Sequence, residues 1–122
     1  MFGLFVETGP YVVNEAGDSA TKREFAWTND YHVIFIDQPV GTGFSFTDDD
    51  QGYARNESDV ANDMFECLQQ FFTLFPQYQR NKFYLTGESY AGKYIPAIGY
   101  KIHQEKAVAK MNFFGAIIGD GK

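Results

Sequence analysis

The segment Phe83-Tyr84-Leu85-Thr86-Gly87-Glu88-Ser89-Tyr90-Ala91-Gly92 sets a serine between small residues two places before and two places after it. An aromatic and β-branched run leads into it, and a helix-compatible run follows. Strand, sharp turn and helix in that order form a nucleophile elbow, in which the serine backbone is strained and bulky flanking residues would collide. Gly87 and Ala91 meet the demand for small neighbours, although the general motif has glycine where Ala91 stands. Ser89 would then stand above the carboxyl edge of a sheet, at a helix N-terminus whose dipole favours developing negative charge. The backbone N–H of Tyr90 becomes one oxyanion donor. The chemistry this allows is nucleophilic acyl transfer through a serine ester. The bland alternative, a Gly-x-Ser turn that only ends a strand, stays open on these residues alone.

No other cluster offers comparable chemistry. Asp48-x-Asp50-x-Gly52 lacks the third ligand and the correctly placed glycine of a calcium loop and reads as a solvated turn. No metal site is expected. Gly41-Thr42-Gly43 is followed by Phe44-Ser45-Phe46 rather than a helix, and Gly119-Asp120-Gly121-Lys122 lacks the upstream glycine of a phosphate loop, so no cofactor is expected. Cys67 is the only cysteine; it has no disulfide partner and reads as a small apolar filler on a helix. Asn56-Glu57-Ser58 is a glycosylation sequon at a helix start, where Asn56 either carries a glycan in a secreted parent or caps the helix. His103 lies fourteen positions after Ser89 along a helix, roughly 20 Å away at about 1.5 Å per residue. His32 precedes a strand and falls at the opposite end of a sheet. Neither histidine is placed to serve as the base.

The elements that must position Ser89 follow from periodicity. Val33 to Ile36 is a short β-type run ended by Asp37-Gln38-Pro39. Asn56 to Asp59 carries helix-start residues, and Val60, Ala61, Met64, Phe65, Leu68, Phe71, Phe72 and Phe75 recur at helical spacing until Pro76. Phe83 to Thr86 reads as a strand. From Tyr90, Tyr94, Ile95, Ile98 and Ile102 share a helical face, with Pro96 near the first turns. Phe113 to Ile118 is a third strand candidate. Alternating strands and helices, with continuously apolar strands, predict an α/β fold with a parallel sheet flanked by helices.

Composition bounds the function. The 122 residues are 44% apolar and 21% charged, a globular balance, and fit one small domain or part of a larger one. Aromatics reach 18%, more than a chain of this size readily covers. A net charge of −6 argues against nucleic acid as a partner. No apolar stretch approaches the roughly 20 residues that span a bilayer, so membrane insertion is not expected. Met1 to Val6 lacks the basic start and cleavage site of a signal peptide. Met1 opens inside an apolar run and the chain stops just after a strand, so the fold is expected to be truncated at both ends.

Five stretches together carry a family resemblance: Met1 to Val13 (MFGLFVETGPYVV), Ile34 to Thr47 (IFIDQPVGTGFSFT), Phe71 to Tyr78 (FFTLFPQY), Phe83 to Ile98 (FYLTGESYAGKYIPAI) and Ile117 to Gly121 (IIGDG). The chain resembles the serine carboxypeptidases of the α/β-hydrolase superfamily, above all the vitellogenic-like ones. In that family Ala follows the Ser-Tyr pair, so Ala91 fits. The resemblance implies a partial α/β-hydrolase domain over residues 1–122. It implies Ser89 as nucleophile and Tyr90 as oxyanion donor. Glu7 and Glu88 become the two acids that grip the terminal carboxylate of a peptide substrate. Three bare anions would repel, so the grip needs a shared proton and works best at acidic pH. That fits the lysosomal, vacuolar or secreted settings of the family. The family's Gly-Gly-Pro-Gly run would precede Met1, and its catalytic Asp and His would follow Lys122. The isolated chain is therefore expected to be inactive. The rivals are a carboxypeptidase-like acyltransferase and a catalytically dead interaction fragment.

Overall fold

A computed structural model describes residues 1–122 as two compact units, Met1–Gly52 and Tyr53–Lys122. The second unit holds the elbow. Helix α1 (Glu57–Leu74) starts because the Asn56 side chain accepts the Asp59 N–H at 3.0 Å, while Asp59 in turn accepts the Arg55 N–H at 2.9 Å. Val60, Ala61, Met64, Phe65, Leu68 and Phe72 form its buried stripe. Pro76 opens a short 3₁₀ turn (Pro76–Tyr78) that ends the helix.

Strand β3 (Lys82–Glu88) pairs in parallel with β4 (Asn112–Gly119), and α2 (Ala91–Gln104) is the crossover between them. This is the βαβ unit that the alternation of elements predicts. The register runs from Lys82 opposite Asn112 to Glu88 opposite Gly119, with one irregularity that leaves Phe114 as the extra residue. Ile95, Ile98 and Ile102 of α2 are buried, as their spacing requires. Pro96 lies deeper in α2 than the first turn, so the Gly92 carbonyl loses its helical donor. Helix α1 packs along α2, and its Phe72 ring meets Phe83 of β3 edge-on at 5.5 Å.

The first unit carries no α-helix. A π-helical turn (Gly3–Glu7) leads to an antiparallel hairpin of β1 (Tyr11–Val13) and β2 (Ala20–Lys22). Asn14 closes the hairpin, its Oδ1 accepting from the Asp18 and Ser19 N–H groups. Val33 to Ile36, expected as a strand, forms no strand and pairs with none. Its apolar residues suit a sheet, yet no neighbouring strand hydrogen-bonds to it, and a strand exists only as part of a ladder.

Candidate active site

Ser89 has φ +55°, in the left-handed region that a side-chain-bearing residue enters only when its surroundings hold it there. The holding groups are explicit. The Ser89 N–H donates to the Gly119 carbonyl at 3.0 Å, adding one rung to the β3–β4 ladder. The Ser89 carbonyl accepts from the Gly92 N–H at 2.9 Å and from the Lys122 N–H at 3.0 Å. Asp120, just past the end of β4, also has positive φ, so both strands kink left-handed at the same edge. A Cβ on Gly87 would lie 2.4 Å from the Ala91 Cβ, which is the steric reason for small residues on both sides of the serine. A Cβ on Gly92 would lie 2.7 Å from the Lys122 backbone nitrogen. Ser89 is half-buried, and Tyr90 occupies the N-cap position of α2. The Tyr90 N–H thus sits where the unpaired donors of a helix start converge.

Around the elbow stands a group that sequence reading missed. The Tyr90 hydroxyl donates to Glu57 Oε1 at 3.3 Å, while Glu57 Oε2 is buried without a partner. The Tyr90 and Tyr94 rings meet edge to face, inclined at 61° with centres 5.0 Å apart, and Lys93 Nζ lies 4.9 Å from the Tyr90 ring centre. Burial first, then the charges of Glu57 and Tyr90, push the Tyr94 hydroxyl above its ordinary value of 10.0. Glu57 sits in the first turn of α1, where an acid is explained by the helix dipole alone. Nothing in the sequence links it to a residue 33 positions later.

Glu88 ends β3 as an exposed side chain immediately before Ser89. Glu7 is exposed at the end of the π-helical turn, in the other unit. In that same unit Asp37 organises the loop after it. Its carboxylate accepts the Phe44 N–H at 3.0 Å, and its carbonyl accepts the Ser45 hydroxyl at 2.6 Å. Gly43 has φ +53°, and a Cβ there would collide with the Asp37 carboxylate.

His103 is exposed in the last turn of α2, the end of that helix away from Ser89. Cys67 is exposed on α1 rather than packed as a filler, because it falls at the rim of the buried stripe. Asn56 caps α1 through Oδ1, and its side chain is exposed. No helix is long and apolar enough to cross a membrane.

The serine carboxypeptidase family matches residues 1–122. The chain belongs to that family. It is 57% identical over 123 residues to the probable serine carboxypeptidase CPVL of Homo sapiens, covering 99% of this chain and 26% of that protein. It is 48% identical over 121 residues to the vitellogenic carboxypeptidase of Aedes aegypti, covering 99% and 26%. Its fold matches the crystal structure of the prohormone-processing carboxypeptidase Kex1 of Saccharomyces cerevisiae with a TM-score of 0.88 at 33% identity. That match covers 100% of this chain and 28% of that one. The fold is accordingly α/β, part of an α/β-hydrolase sheet. The chain spans about a quarter of the length of these relatives.

Proposed function

We propose that this chain is the nucleophile-bearing portion of a serine carboxypeptidase, and that its two units form part of a single α/β-hydrolase domain. The observation that carries the reading is Ser89 at positive φ on the β3–α2 turn, between Gly87 and Ala91. The Ser89 hydroxyl attacks the carbonyl of the last peptide bond, and its proton passes to a base. The Tyr90 N–H donates to the oxygen that gains charge. The C-terminal residue leaves with its amine protonated, and water then releases the acyl group from Ser89. His103, at the far end of α2, is not that base.

Glu7 and Glu88 grip the substrate's terminal carboxylate, one of them protonated so that it can donate a hydrogen bond. This selects peptides with a free C-terminus and favours acidic surroundings, consistent with a lysosomal, vacuolar or secreted enzyme. The test is hydrolysis of an N-blocked dipeptide by the full-length protein, as free acid and as C-terminal amide, across acidic to neutral pH. Turnover should favour the acid form, rise at acidic pH and vanish in Ser89→Ala. Acyl transfer to an alcohol in preference to water would overturn the peptidase reading.

A further inference from the structure

Glu7 closes a five-residue π-helical turn, and such a turn ends with carbonyls that lack helical donors. The Phe5 and Gly9 carbonyls, two residues to either side of Glu7, are both capped by one side chain. Arg23 Nε donates to the Gly9 carbonyl at 3.0 Å, and Arg23 Nη2 donates to the Phe5 carbonyl at 3.3 Å. The main chain adds two more ties. The Arg23 N–H donates to the Pro10 carbonyl at 2.8 Å, and the Trp27 N–H donates to the Thr8 carbonyl at 3.1 Å. The loop therefore hangs on the segment from Arg23 to Trp27 at four carbonyls. Its own backbone is tight as well: Gly9 is buried, and a Cβ there would fall within 1.9 Å of the Leu4 carbonyl oxygen.

Arg23 is half-buried and makes no ion pair; the two pairs in the chain lie elsewhere. Its guanidinium is used on neutral carbonyls alone. A planar fork can bridge two acceptors that a single ammonium cannot, because its donors point in fixed directions. Glu7 itself is exposed, so its own packing does little to fix its backbone.

We propose that Arg23 is a positioning residue for Glu7. Its fork sets the Phe5–Pro10 loop so that the Glu7 carboxyl is presented to the terminal carboxylate of a peptide substrate. The inference rests on the reading of Glu7 as a carboxylate-gripping residue. It also fixes where the effect falls: on recognition of a free C-terminus, not on the acyl step at Ser89.

The experiment uses the full-length enzyme with one N-blocked dipeptide as free acid and as amide. Arg23→Met keeps the length of the side chain and removes both donors. It should raise KM for the free acid by about tenfold, the loss expected for charge-assisted hydrogen bonds, with kcat and the amide KM changed little. Arg23→Lys keeps the charge without the fork and should recover only part of that loss. It also serves as the measurement should Arg23→Met fail to fold. Equal losses on acid and amide, or full recovery by Arg23→Lys, would overturn the proposal. Glu7→Gln separates the two layers. If it shifts the acid-to-amide ratio and the Arg23 variants do not, the role of Arg23 alone is wrong. If Glu7→Gln leaves the ratio unchanged, the reading of Glu7 fails and the proposal falls with it.

Discussion

The Tyr90 hydroxyl and Glu57 Oε1 are 3.3 Å apart, joining the residue after the elbow serine to the first turn of α1. The elbow is therefore braced from two directions. The β4 end holds the Ser89 backbone, and α1 holds the Tyr90 side chain.

Tyr94 reports on this brace. Glu57→Gln keeps an acceptor for Tyr90 but removes a negative charge, so Tyr94 should ionise more easily. Its titration, followed by NMR of ring-labelled tyrosine and assigned with Tyr94→Phe, should move down while remaining above 10.0, because burial is the larger cause. The folded chain keeps the Tyr94 proton to higher pH than the unfolded chain. Stability from this source is intact below about pH 10 and is lost as pH rises through the folded value. Tyr94→Phe should lose less stability over that alkaline range. An unchanged Tyr94 titration in Glu57→Gln would show that the two side chains are not coupled.

Ser89→Gly should stabilise the full-length protein while abolishing its acyl chemistry. A left-handed residue with a Cβ costs roughly 1–2 kcal/mol, and the extra unfolded-state entropy of glycine returns roughly 0.5–1 kcal/mol of that. The net gain is about 0.5–1 kcal/mol over Ser89→Ala, read as a higher urea midpoint. A glycine variant less stable than the alanine variant would mean that the positive φ carries no strain.

Gly92→Ala should destabilise the elbow without touching any reacting group. The new methyl would meet the backbone of Gly121 and Lys122 at 2.7–2.8 Å, and backbone cannot rotate aside as a side-chain tip can. Overpacking of this kind costs about 1–3 kcal/mol. The same variant should lower kcat in the full-length protein, since it shifts the serine. Wild-type kcat in Gly92→Ala would contradict the close approach of α2 to the end of β4.

The 122-residue chain expressed alone should be aggregation-prone and should bind hydrophobic dyes. Phe25 is 83% exposed, Phe44 81% and Phe46 76%, while Phe114 and Ile117 of β4 are also uncovered. Both of its sheets are two-stranded, so each strand has one edge without a ladder partner. A monodisperse monomer with a sharp thermal transition would be the opposite result.

The second unit was legible in the sequence because each of its elements announces itself locally. Asn56 caps, Val60 to Phe72 repeats at helical spacing, Pro76 stops, and Gly87 with Ala91 brackets a serine. The first unit was less legible. The β1–β2 strands are three exposed residues each, and three residues carry no usable period. Asn14 and Gly17 were the available turn signal. Val33 to Ile36 misled because strand propensity reports side-chain fit and not the presence of a pairing partner. Ser89 and Tyr90 were read from the elbow, and Glu88 and Glu7 from the family resemblance alone. Arg23 and Glu57 were out of reach, since each acts across a gap in sequence that only folding closes.

The rungs between Ser89, Gly119 and Lys122 also have a consequence in time. During synthesis Ser89 is joined to the nascent chain about thirty residues before Gly119, at roughly 5–20 residues per second. Through those seconds its backbone has neither the β4 acceptor nor the Lys122 donor, so two of the three backbone bonds that hold the left-handed kink are missing. The serine is therefore made first as an ordinary residue and becomes a poised one only when the next strand has arrived beside it.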